Sequence, residues 1–175
     1  NELGILFQPG KPAGVQPRDR GNQKPRIGMC RKFRHLVRRQ GLYDLAIVDY
    51  DTAINLRPEY APAYYNRGNA RFYFGRFERS AEDYKALLRA NPSDIYRVIW
   101  YYLALERAGE NAMAELVNYT DKIDVGRWPG AVVKLFLGQA GPRDVMASLD
   151  GLSGDKRREQ SCAALFYLGQ YFMIE

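Results

Sequence analysis

The sequence predicts an all-α protein, a right-handed superhelix built from stacked helix–turn–helix units. Three observations carry that expectation. The first is a self-match at a shift of 34 residues, which lays Gly41 on Gly75, Tyr43 on Phe77, Tyr50 on Tyr84, Ile54 on Leu88 and Pro58 on Pro92. The second is apolar spacing of helical period, as in Leu42, Tyr43, Ala46, Ile47, Tyr50, Ala53 and Ile54. The third is an aromatic content of 13% in which 13 residues are Tyr, the bulky side chains that packing between paired helices requires. One such pair cannot hide its apolar face alone, so neighbours stack and leave an elongated concave surface.

The strongest unit runs over 61–94. Tyr64 supplies a large aromatic, Gly68 is the small residue that lets two helices touch, and Gly75 breaks the chain between them. Phe77, Ser80, Tyr84 and Pro92 then fall at the spacing of a second helix and its exit. With its period, this unit resembles a tetratricopeptide repeat. Arg71 stands where an aromatic is usual and Leu87 where an alanine is usual, which predicts looser packing there.

The preceding unit matches only in its second half, 41–58, where Pro58 ends the helix because its ring and missing N–H forbid continuation. Its first half would occupy 27–40, but IGMCRKFRHLVRRQ is charged where a packing face is needed. Residues 1–40 hold ten Lys and Arg against two Asp and Glu, whereas 41–175 hold sixteen against eighteen, so the net charge of +6 comes wholly from the front. Pro9, Pro12, Pro17, Pro25, Gly10, Gly14 and Gly21 suit a disordered arm. A basic arm could hold nucleic acid through phosphate contacts, but the aromatic interleaving that reads bases is missing. A second explanation is a frameshift upstream of Gly41, since Arg34 to Arg39 can be encoded so that a neighbouring frame reads Gly-Ile-Ser-Tyr-Ala-Ala.

Beyond Pro92 a degenerate third repeat is expected over 95–124, with Ser93 or Asp94 as its N-cap. Val98, Trp100, Tyr101, Leu103, Ala104 and Leu105 make its first helix apolar around most of its circumference, which predicts burial on two sides. Helices follow over 128–149, opened by Trp128 and Pro129, broken between Gly138 and Gly141, and resumed at Pro142. From about 158 the spacing of Leu165, Leu168, Gly169 and Phe172 restarts a first helix that ends at Glu175 uncovered, which predicts a truncated repeat able to self-associate.

RWPGAVVKLFLGQ followed by FYLGQY resembles the C-terminal half of the bacterial NlpI-like tetratricopeptide lipoproteins. That resemblance spans 41–175 and implies an adaptor of the cell envelope, periplasmic or membrane-anchored, whose partners are proteins such as cell-wall hydrolases and their processing proteases. Cys30 follows Ile27, Gly28 and Met29 without an apolar stretch, so it does not present a lipidation signal. Cys162 patterns as a small buried hydrophobe. No stretch approaches the ~20 apolar residues of a membrane span.

Chemistry is sparse. The sole histidine, His35, lies in the basic front, away from any Ser or Cys of the repeat body, and GLSGDK lacks the context of a phosphate loop. Asp49, Asp51, Glu82 and Asp83 are expected on solvated outer faces of second helices. The sequence therefore calls for no enzyme, no cofactor and no metal, and for a groove that binds a protein segment. Tyr65, Asn69 and Tyr73 share one face of a first helix at i, i+4, i+8 spacing, with Asn66 beside them. Asn66 matches a groove asparagine that, in peptide-binding relatives, grips a ligand backbone through both ends of its amide, the alternative being that both asparagines are merely solvated; Trp100 either floors the groove or, the stronger expectation, is buried in the core. The paired lysines of a chaperone-type carboxylate clamp are missing. The competing reading is a repeat fragment of a larger protein with a separate catalytic domain.

Overall fold

The computed structural model describes residues 40–174, so the basic segment expected at 1–40 lies, apart from Gln40, outside the described residues. Among the described residues eight helices follow in order: α1 (Gln40–Leu56), α2 (Ala61–Tyr73), α3 (Phe77–Ala90), α4 (Ile95–Ala108), α5 (Ala112–Thr120), α6 (Gly130–Phe136), α7 (Pro142–Ala147) and α8 (Gly154–Ile174). Among the described residues there is no strand. Each of α1 to α4 packs on the next, which is the stacking of an all-α superhelical repeat protein.

Local chemistry sets the boundaries. Pro62 sits in the first turn of α2, where its missing N–H costs nothing. Gly75 follows α2 at φ 81°, and the Arg76 N–H returns to the Arg71 carbonyl at 2.8 Å, which satisfies an end carbonyl. Asp94, one of the two expected caps, accepts from the Arg97 N–H at 3.2 Å. Gly109, at φ 75°, ends α4, and Asn111 caps α5 by accepting from the Ala114 N–H at 3.3 Å. Pro142 is the first residue of α7, where it was expected to reopen a helix. Gly41 departs from its expected equivalence with Gly75, because α1 runs through it without a break.

The α2–α3 pair shows why Gly68 is small. A Cβ there would meet Asp83 Cβ and the Tyr84 ring at 3.3 Å. The buried Ser80 hydroxyl donates to the Gly68 carbonyl at 2.8 Å, locking the close approach. On α4, Val98 through Leu105 are all buried, as a helix covered on both sides must be. The second cover is α8, which packs on α4, α6 and α7.

Three expectations are corrected. Arg71 does not loosen the packing, because its guanidinium reaches Asp83 Oδ2 at 2.9 Å, and Leu87 is buried as well. Asp83 is not on a solvated face: its carboxylate is 2% exposed and also accepts from Arg67 Nη2 at 2.6 Å, while Asp51 of α1 takes Arg67 Nη1 at 2.5 Å. Two arginines and two aspartates thus form a charge-balanced network joining α1, α2 and α3. Burial pushes the Asp83 carboxyl above its ordinary range, against the pull of both guanidiniums. Cys162 is half-buried on α8 and not fully enclosed.

Candidate functional site: the inner face of the first helices

The residues expected to line a groove sit on α2 and α4 in three distinct settings. Asn66 is exposed near the start of α2, its amide open to solvent. Tyr65, half-buried beside it, meets the Tyr84 ring edge-on with centroids 6.5 Å apart. Asn69, one turn on, is already engaged, since its Oδ1 accepts from the Tyr84 hydroxyl at 2.8 Å. That bond satisfies the buried Tyr84 phenol, so Asn69 has a structural task before any ligand arrives.

Tyr73 closes the helix. It stacks on Tyr43 of α1 at 6.5 Å and meets Phe72 and Trp100 edge-on at 5.8 and 6.1 Å. Burial pushes its phenol far above the usual tyrosine range. Trp100 is 3% exposed: of its two expected places it takes the core and not the groove floor. Its ring lies 5.2 Å from Phe72, stacks at 6.0 Å on Tyr84, and is covered on the inner side by Phe166 of α8 at 5.3 Å. Tyr167, next along α8, is completely buried. The inner wall is therefore not wholly hollow: beyond Asn66 the molecule's own last helix lies against it. No local pattern could have placed α8 there, because the contact joins residues 66 apart in sequence.

Where α8 passes the α2–α3 turn a cleft remains, about 340 Å3 in volume, lined by Phe72, Tyr73, Phe74, Gly75, Phe77, Arg107 and Gln170. The guanidinium of Arg107 sits 4.8 Å from the Phe77 ring centroid. Gln170 is 8% exposed and its Oε1 has no donor. Sequence reasoning passed over both residues, although Gln170 follows Gly169 as Asn69 follows Gly68.

The described residues hold no group of three or more His, Cys, Asp or Glu side chains placed for a metal ion, and no helix among them is long and apolar enough to cross a membrane. What the surface offers chemically is aromatic edges, the exposed amide of Asn66 and the guanidinium of Arg107.

Two family models match the chain, one described as TPR repeat over residues 35–73 and one as tetratricopeptide repeat over residues 61–94. The first reaches back six residues into the segment whose charge departs from the repeat pattern. Over 35–94 the chain is thus similar to tetratricopeptide repeats, which supports reading it as a tetratricopeptide-repeat protein.

Proposed function

We propose that the chain is a non-enzymatic adaptor that docks a peptide or helix of a partner protein on the inner face of its repeats. Repeats of this family mediate protein–protein interaction, and the observation that carries the reading here is the exposed Asn66 beside the half-buried Tyr65 on the first helix of the best-matching repeat. A docking peptide loses water from its own N–H and C=O, and a carboxamide can replace both partners at once. Because α8 covers Trp100, the docking surface is confined to the Asn66 end of α2 and the cleft beyond Tyr73. The stretches RWPGAVVKLFLGQ and FYLGQY support an envelope setting, with cell-wall hydrolases or proteases as partners.

The test is photocrosslinking. With p-benzoylphenylalanine at position 66, a defined partner should be trapped from an envelope extract, while the same probe at the outward-facing, exposed Glu82 should trap none. Equal trapping at both positions overturns the groove assignment. Replacing Asn66 and Tyr65 together with Ala should weaken capture without unfolding the chain.

A second reading, self-association, is favoured by the outward stripe of α8, where Leu165, Phe172 and Met173 are 62%, 64% and 59% exposed.

A further inference from the structure

We infer that the cleft between the α2–α3 turn and α8 is a specificity subsite for a partner segment in which an apolar side chain is followed by a carboxylate. The inference rests on the adaptor reading and adds the chemistry of what is read. Phe72, Tyr73, Phe74 and Phe77 supply ring walls for an apolar side chain. At the rim, Arg107 is exposed in the last turn of α4, and none of the described carboxylates pairs with it. It is held in place from one side only, by the Phe77 ring 4.8 Å away, which leaves its planar donors free to take a carboxylate in two-pronged fashion.

The third element is Gln170. A buried acceptor without a donor is costly, and proteins rarely keep one. Here the amide lines the cleft while its Oε1 is shut off from water and unpaired. Its terminal torsion is soft, so a small rotation turns the oxygen into the cleft, where a backbone N–H of the incoming segment would satisfy it. One segment of the form apolar–acidic therefore completes all three groups: rings by the side chain, Oε1 by the peptide N–H, guanidinium by the carboxylate. A basic residue in the second place would set like charges together.

The probes are N-acetyl-Phe-Glu-amide, N-acetyl-Phe-Lys-amide and N-acetyl-Gly-Glu-amide, titrated into the whole chain and followed by NMR at the Gly75 amide, the Arg107 Nε–H and the Gln170 side-chain amide. The Phe-Glu probe should give saturable shifts at all three and bind about tenfold tighter than either alternative, the scale of a charge-assisted bond. Arg107→Glu, a change at an exposed position, should reverse the preference to Phe-Lys. Gln170→Leu removes the unpaired acceptor, so it should keep or raise Tm while weakening Phe-Glu severalfold. Equal affinity for the three probes, absence of saturable shifts at these residues, or unchanged binding in Gln170→Leu overturns the inference. Trapping of a partner at position 66 that persists in Arg107→Glu, in a chain that fails to bind Phe-Glu before the substitution, sinks the subsite and leaves the adaptor reading standing. Probe binding without any trapping at position 66 does the reverse.

Discussion

Phe166 of α8 lies against Trp100 of α4, ring centroids 5.3 Å apart and planes inclined by 32°. This pair turns the inner side of α4 into core and packs α8 on it. Phe166→Ala should then cost about 2 kcal/mol, less than a fully buried Phe because the ring is half-buried, and lower Tm by roughly 4–8 °C. Trp100 emission should move to longer wavelength as water reaches it. The second tryptophan, Trp128, is removed by Trp128→Phe in both the parent and the variant. An unshifted Trp100 spectrum would mean that α8 does not cover the ring in solution.

The ion network gives a second expectation. Asp83 faces both Arg67 and Arg71 with almost no water, so Asp83→Ala takes from both guanidiniums their buried partner and leaves them the half-exposed Asp51 alone as a carboxylate. Losing one partner of a buried pair costs ~3–5 kcal/mol, far above the ~0.2–1 of an exposed pair. Denaturant melts should place Asp83→Ala well below Asp44→Ala, whose bond to Arg76 lies between exposed side chains. Similar losses for the two would show that the network is wet.

What the sequence disclosed and withheld follows from range. Gly68, Ser80 and Tyr84 were legible because a period fixes their neighbours: each meets its partner within one repeat. Arg71 was visible as an anomaly, but its meaning was not. A charge at an aromatic position is explained only by the carboxylate of Asp83 twelve residues on, which a face-by-face reading assigns to solvent. At the candidate site, Asn66 is exposed, whereas the stripe of Tyr65, Asn69 and Tyr73 could not reveal that Tyr84 and α8 already claim parts of it. For Trp100 a groove floor stayed open beside a place in the core for the same reason: spacing tells which side chains share a face, and not which distant helix returns to cover it.

Alkali offers a test of the tyrosine core. Burial holds the phenols of Tyr84, Tyr167 and Tyr73 above the usual value. A folded-state value above the unfolded one, about 10, means that the protonated rings contribute their full stability below about pH 10 and lose it as pH rises beyond. Absorbance at 295 nm should show some of the 13 tyrosines ionising early and the remainder only together with loss of helical circular dichroism. A single ionisation step with helicity intact would contradict the burial of these rings.

The two faces of the repeated glycine motif lead to the last expectation. On α2, Gly68 is pressed by Asp83 and Tyr84 of α3, whereas a Cβ at Gly169, in the same register on α8, would meet nothing within 4 Å. Leu165, Phe172 and Met173 flank Gly169 on that open stripe. Apolar surface of this kind gains by leaving water, and a second copy offers the same stripe in return. Sedimentation equilibrium should therefore show reversible association by ~0.1 mM, where an interaction of about −5.5 kcal/mol is half-populated. Phe172→Glu should abolish it with the helical spectrum and Tm nearly unchanged, because the ring is 64% exposed and meets the ring of its sequence neighbour Tyr171 rather than the core. A parent protein that stays monomeric over this range would assign the stripe to no second copy, and association that survives both Phe172→Glu and Leu165→Glu would locate the contact elsewhere.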